Sequence, residues 1–285
     1  PQGAGYYRDV RCLNATTVTA TSSVPFMIGI GLSCYGQSNM NSLFASATSP
    51  EAANSQTTYF DGTNWLVVPP ADGARILLNT VATVSGVPCF ATNGGMAGTG
   101  IDALSKGNGS GYYAAWLAKV QAMQGAEFFL WRHGESTAAG VGMPNVEYIS
   151  KMGVLHNDIA TDLGRTKAQI HFVISGLASA PVVGSYDTLL WDNVQRALID
   201  AGDTLPSAVY SHSNLDVSLL VDLLHVDGAG NAKTGIRYAR SITTLLGSTA
   251  GYPKFSITAS AVVDATTTTV DVTHGLGTDI TPSTG

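Results

Sequence analysis

Serine is a weak nucleophile until a base takes its proton, and imidazole serves best when a carboxylate fixes its tautomer and stabilises the imidazolium. Three residues have types and spacing that suit this chemistry. They are Ser38 in Gly36-Gln37-Ser38-Asn39-Met40, and Asp222 with His225 in Val221-Asp222-Leu223-Leu224-His225. An Asp and a His three apart face the same way in a turn or one helical turn. The carboxylate then reaches Nδ1, and Nε2 is left for Ser38. The chemistry such a set supports is nucleophilic acyl transfer. Neither piece is specific alone, since G-x-S and D-x-x-H both recur by chance. Their weight comes from the elements that would carry them and from whether an oxyanion site accompanies them.

Two further stretches bear on an oxyanion site. Asn93-Gly94-Gly95-Met96-Ala97-Gly98-Thr99-Gly100 is a glycine cluster at a strand end. It is not G-x-G-x-x-G and no Lys follows at P-loop spacing, so no nucleotide loop is supported, but its backbone N–H groups can approach a ligand closely. His133, in Trp131-Arg132-His133-Gly134-Glu135, follows a strand. It is placed either to donate to a developing oxyanion or to make a structural hydrogen bond. His156, His171 and His274 read as packing or surface residues, and His212 follows a strand without a carboxylate at the same short spacing. His133-Gly134-Glu135 also matches the H-x-E of zinc deaminases, but those need a later P-C-x-x-C. All three cysteines, Cys12, Cys34 and Cys89, lie upstream, and no H-E-x-x-H is present, so catalytic zinc is discarded.

The elements around these residues alternate. An apolar run from Phe26 to Cys34 predicts a strand buried on both faces, ending just before Ser38. Tyr59 to Val68 predicts a hairpin turning at Asp61-Gly62. Helices are predicted at 74–85, 112–123, 145–163, 192–201 and, after Gly228-Ala229-Gly230-Asn231, through about Leu246, and strands at 87–91, 127–131, 169–175 and 208–210. That rhythm implies a parallel sheet with helices on both faces and a ligand crevice at the carboxyl ends of the strands. The serine, the glycine cluster and the His-Gly-Glu segment all fall at such ends. Residues 1–25 read as an extended lead-in and 26–250 as the main domain. From about 251 to 285 a Thr-rich alternation marks a β segment that begins a further module.

Charged residues are 12% of the 285 and the net charge is -6, with no run of Lys and Arg, which excludes a nucleic-acid partner. An apolar content of 45% excludes disorder, and no segment has the roughly 20 apolar residues of a membrane span. The chain starts at Pro1 with no basic-then-apolar leader, as expected of a processed or excised piece. The cysteines are too few and too unevenly spaced for a disulfide framework, and Cys34 and Cys89 read as buried small side chains.

GQSNM, GGMAGTGIDAL, WRHGES and DLLHVDGAGNAKTGIRYA, in that order, resemble the successive blocks of the SGNH hydrolase superfamily, and most of all its sialate O-acetylesterase and acetylxylan esterase-like group. The resemblance covers roughly residues 26 to 247. It implies a flavodoxin-like three-layer α/β/α sandwich with a parallel sheet, here with a short C-terminal β-rich appendage. It also implies an esterase without metal or other cofactor that removes acetyl groups from carbohydrate. Carried onto this sequence, Ser38 is the nucleophile, His225 the base and then acid, and Asp222 its orienting partner. The N–H groups of Ser38 and Gly98 would form part of the oxyanion hole. Where the family has W-x-Q-G-E, with the glutamine completing that hole, this chain has His133, and Glu135 matches a glutamate expected to hold the loop. Asp102-Ala103-Leu104 stands where E-A-W is common. These departures keep a second expectation open, a glycan-binding or structural module with little activity. Composition and family habit add the expectation of an extracellular or virion setting, such as a phage tail protein, with a homo-oligomer if the chain belongs to a tail or fibre.

Overall fold

A computed structural model describes residues 9–12, 15–21, 29–48, 50–139, 142–178, 188–248, 255–262 and 268–274. Its body is a seven-stranded sheet. The strands are β3 (Ile30–Gly36), β4 (Thr57–Phe60), β5 (Trp65–Leu66), β6 (Cys89–Gly95), β7 (Phe128–Arg132), β8 (His171–Ala178) and β9 (Ala208–Asn214), in the spatial order β5-β4-β6-β3-β7-β8-β9. All are parallel except β5, which pairs antiparallel with β4 through the turn at Asp61-Gly62. In that turn Asp61 Oδ1 accepts the N–H groups of Thr63 and Asn64 at 2.7 Å each.

The helices are α1 (Ser38–Ser42), α2 (Asp72–Ser85), α3 (Tyr112–Ala122), α4 (Glu135–Ala139), α5 (Asn145–Asp162), α6 (Thr188–Thr204) and α7 (Gly228–Leu245). Strand residues alternate between two cores. Tyr35, Phe129, Trp131 and Phe172 join Trp116, Tyr148, Ile159 and Val194 of α3, α5 and α6, whereas Leu32, Cys34, Phe128 and Leu130 join Leu77, Val81, Tyr238 and Ile242 of α2 and α7. Both faces of the sheet are covered, which is why the strands read as nearly continuous apolar runs. Burial pushes the Cys34 and Cys89 thiols far above their ordinary range, and neither is in a disulfide. The result is the three-layer α/β/α sandwich that the sequence predicts.

β3 lies at the centre. The chain moves from it to β4 and β6 on one side, then crosses to β7, β8 and β9 on the other. The crevice at the carboxyl end of β3, where the order reverses, is the standard ligand position of such sheets. Ser38 begins α1 there, two residues beyond β3. Gly36 makes this exit possible, because a Cβ on it would lie 2.0 Å from the carbonyl oxygen of Arg132 on β7.

Outside the sandwich, β1 (Asp9–Cys12) pairs antiparallel with β2 (Ala15–Thr21), and β10 (Phe255–Val262) with β11 (Thr268–His274). Of the predicted lead-in and Thr-rich tail, these four strands are the described parts; residues 1–8, 13–14, 22–25, 251–254, 263–267 and 275–285, and residues 26–28 of the predicted first strand, lie outside the described residues. No described helix is long and apolar enough to cross a membrane.

Candidate active site

Ser38, Asp222 and His225 come together from opposite ends of the sequence. His225 Nε2 is 3.0 Å from Ser38 Oγ, and His225 Nδ1 is 2.6 Å from Asp222 Oδ2. A carboxylate oxygen only accepts, so Nδ1 carries the proton and Nε2 presents its lone pair to the serine O–H. Asp222 also builds the turn that holds the histidine. Its Oδ1 accepts the N–H groups of Leu224 at 3.0 Å and His225 at 2.9 Å. Between them Leu223 takes the left-handed conformation with φ 56°, unusual for a leucine and a sign of a turn fixed by its surroundings. Partial burial pushes the Asp222 carboxyl up, but the His225 N–H, the His225 ring and the Leu224 N–H outweigh it and hold it at about 2. The carboxylate is therefore ionised at neutral pH.

The histidine turn is fixed to the serine turn by Asn39, which sequence reasoning left out. Its Oδ1 accepts the N–H of Val226 at 3.0 Å, and its Nδ2 donates to the Leu224 carbonyl at 3.2 Å. Asn39 thus grips the residues on either side of His225 while being covalently next to Ser38. Its amide is held in turn by Glu135 Oε1 at 2.7 Å, the loop-holding position expected of that glutamate. The buried Arg132 side chain donates from Nη1 to the Asn39 carbonyl and to Asn231 Oδ1, both at 2.8 Å, and Asn231 Nδ2 reaches the Val226 carbonyl at 3.1 Å. Gln37 ties the same turn to the third block, its Oε1 accepting the N–H groups of Gly134 and Ser136 at 3.2 Å each. α7 begins beside this network, with Asp227 as N-cap accepting from Gly230 N at 2.7 Å.

Removing the Asn39 amide should let the Ser38–His225 distance drift. A misplacement of about 1 Å costs on the order of 10²-fold in rate. Asn39→Ala is expected to lose turnover by that order with a smaller change in KM, as steady-state kinetics would show.

His133 is the correction. The expectation that it supplies an oxyanion donor fails on geometry, because both ring nitrogens are taken. Nε2 lies 2.9 Å from the Thr99 carbonyl, to which it must donate, and Nδ1 then accepts from the Tyr148 hydroxyl at 2.6 Å. The ring is buried, and burial pushes it down to about 4 against the opposing pull of the Thr99 carbonyl, so it is neutral at pH 7. Of the two readings open in the sequence, the structural hydrogen bond is the one observed. An unfolded histidine titrates near about 6.5, so the unfolded chain takes up a proton that the folded chain refuses until about pH 4. Stability associated with His133 is full above about pH 6.5 and lost as pH falls towards about 4. Thermal melts from about pH 7 to about pH 4 should show a smaller acid-induced drop in Tm for His133→Gln than for the parent.

Gly98 sits exposed at φ 67°, and its N–H has no backbone partner among the described residues; neither does that of Ser38 at the start of α1. The neighbouring N–H groups of Gly95 and Met96 are used internally, by Asn93 Oδ1 at 2.9 Å and the Gly36 carbonyl at 2.9 Å. His212 lies inside β9 rather than after it, buried, with Nδ1 2.7 Å from Ser211 Oγ, and takes no part in the site. His156 and His171 stack on Phe172 and Phe128. Asp102 makes an ion pair with Lys151 of α5, and Leu104 is fully buried with its carbonyl accepting from Tyr35.

A central parallel strand delivering a serine to a sheet crevice, with Asp-x-x-His returning before the last helix, defines a hydrolase of the SGNH class. The chain belongs to the carbohydrate esterase family of sialic acid-specific acetylesterases, whose model matches residues 39–244. It is therefore a carbohydrate esterase of the acetylesterase type. Among solved structures, a protein of Arabidopsis thaliana superposes with a TM-score of 0.60 at 17% identity, covering 76% of this chain and 99% of that one. A carbohydrate acetylesterase from Xanthomonas citri gives a TM-score of 0.63 at 17% identity, covering 90% of this chain and 65% of that one. The psychrotrophic esterase EstA from Pseudoalteromonas gives 0.50 at 12% identity, covering 76% and 99%. At such identities these likenesses speak to the fold. No curated protein sequence matches the chain.

Proposed function

We propose that this chain is a serine esterase that removes O-acetyl groups from a poly- or oligosaccharide through an acetyl-Ser38 intermediate. The observation that carries the reading is the continuous line from Asp222 Oδ2 through His225 to Ser38 Oγ, with links of 2.6 and 3.0 Å. Ser38 Oγ forms a bond to the acetyl carbon as His225 Nε2 takes its proton. His225 then gives that proton to the sugar oxygen as the ester C–O bond breaks. Water then attacks the acetyl carbon as His225 Nε2 takes its proton, and that proton passes to Ser38 Oγ as the acyl C–Oγ bond breaks and acetate leaves. The N–H groups of Ser38 and Gly98 are the proposed oxyanion donors. The His225 and Asp222 side chains are 34% and 47% exposed, an openness that suits a polymer reaching the serine from solvent.

The Xanthomonas citri relative, described as a carbohydrate acetylesterase, supports the choice of substrate. The test is acetate release from acetylated xylan and from O-acetylated sialoglycans. Stoichiometric acetate is expected from at least one of them. Binding of an acetylated glycan with no acetate over hours would favour the non-catalytic module instead.

Low charge, abundant small residues and the β hairpins flanking the esterase sandwich support an extracellular or virion-associated setting, such as a phage tail protein trimming surface polysaccharide. A gene lying among cytoplasmic metabolic genes, with no tail or secretion genes nearby, would remove that part of the proposal.

A further inference from the structure

The triad uses one side of α1, and beside its last turn lies a cavity of about 190 Å³ that no triad residue lines. It adjoins the site. Asn41, one of its walls, is three residues beyond Ser38 on the same helix, and Met96, another, donates its N–H to the carbonyl of Gly36 at 2.9 Å. The volume is below the roughly 300–1,000 Å³ of pockets for drug-sized ligands and suits a single ring. Tyr59, Tyr112 and Trp116 give it aromatic walls, and Trp116 Nε1 is buried with no hydrogen-bond partner among the described residues.

The polar side of the cavity is built rather than incidental. Asn93 Nδ2 donates to Asn41 Oδ1 at 3.2 Å while Asn93 Oδ1 accepts from Gly95 N at 2.9 Å, which fixes both amides. Lys119 reaches in from α3 and donates to the Asn93 carbonyl at 3.1 Å, with two ammonium protons left over. Its stem lies on Gly62, where a Cβ would come 3.1 Å from Lys119 Cγ. No described carboxylate makes an ion pair with it. Asp61 feels Lys119 only as the smallest of the influences that lower its carboxyl, behind the N–H groups of Asn64 and Thr63.

A cation held over a ring-sized, aromatic-walled cavity next to an esterase serine asks for a sugar with an anionic group. We infer that this cavity is a subsite for a carboxylate-bearing ring of the acetylated glycan, with Lys119 as the residue that selects it; the inference rests on the esterase reading above. The carboxylate belongs either to the acetylated ring or to its neighbour in the chain.

The experiment compares kcat/KM for three acetylated probes: a methyl glucoside, a methyl glucuronoside, and a glucoside linked to an unacetylated glucuronate. The protein should prefer one acidic probe over the neutral one by about tenfold, the scale of one charge-assisted hydrogen bond. The acidic probe that wins says which ring enters. Lys119→Met should bring the ratio close to one, and Lys119→Arg should keep most of it. No acidic preference, or one that survives in Lys119→Met, overturns the inference. If no acetyl ester is cleaved, the esterase reading fails separately, and equilibrium binding of free glucuronate then decides. Binding lost in Lys119→Met supports the subsite, and equal or absent binding removes it.

Discussion

Ser38→Ala is expected to lower kcat for acetyl-ester hydrolysis by about 10⁶-fold while leaving the fold intact, the scale seen when the nucleophile of a serine triad is removed. Ser38 Oγ has His225 Nε2 as its described partner, so its loss deletes the attacking atom without exposing a buried polar group. Melting temperature should move little, since substitutions away from core packing and caps usually stay within about 0.5 kcal/mol. Some rate above that in water should persist, because the oxyanion donors and substrate binding remain. A Ser38→Ala protein that hydrolyses p-nitrophenyl acetate at the parent rate would show that another group does the chemistry.

Asp222→Asn is expected to cost about 10⁴-fold in kcat, through the tautomer and not through the fold. An asparagine oxygen can still accept from the N–H groups of Leu224 and His225, which hold the turn. Its amide N–H₂ then faces His225 Nδ1, where the carboxylate had accepted. That favours the imidazole with its proton on Nε2, which cannot take one from Ser38. KM should change little, and the loss should appear at all pH values where the parent is active. In the parent, the depressed Asp222 carboxyl stabilises the turn above its unfolded value, about 3.9, and this contribution disappears as pH falls through about 2. Far-ultraviolet circular dichroism at neutral pH would show that the asparagine variant is folded.

The parts of the site legible in the sequence are those set by short-range geometry. Asp222 and His225 are three apart and bound through the turn between them, so their spacing alone puts them together. Ser38 is legible because the apolar run before it ends at a glycine that lets β3 approach β7. His133 is not, since the partners that turn its ring inward, Thr99 and Tyr148, are 34 and 15 residues away on other elements. Asn39, Arg132 and Asn231 escape sequence reasoning on the same ground. Their bonds join the two ends of the chain, and nothing local marks an asparagine that will grip a histidine turn 185 residues on.

Strand ends behave similarly. The sequence predicts an end at Ala91 for β6, but the strand continues through Thr92, Asn93 and Gly94 to Gly95, because parallel pairing with Ser33, Cys34, Tyr35 and Gly36 of β3 overrides the poor strand preference of Asn and Gly. β8 and β9 likewise run on to Ala178 and Asn214 through residues that pair with each other across two register shifts. The extended end of β6 borders the serine turn, its Gly95 pairing with Gly36 at the end of β3. The glycines that weaken the strand signal also let the backbone come close to the serine turn: a Cβ on Gly95 would lie 2.6 Å from the Asn41 nitrogen.

Ser38, activated by His225, is proposed to form a covalent acyl intermediate. The direct measurement is intact-mass and peptide mass spectrometry after incubation with a phosphonate ester, which traps an activated serine. One adduct per chain is predicted, on the peptide containing Ser38, absent in Ser38→Ala and much slower to form in His225→Ala. An adduct on another residue, or no adduct in a chain that releases acetate, would contradict it.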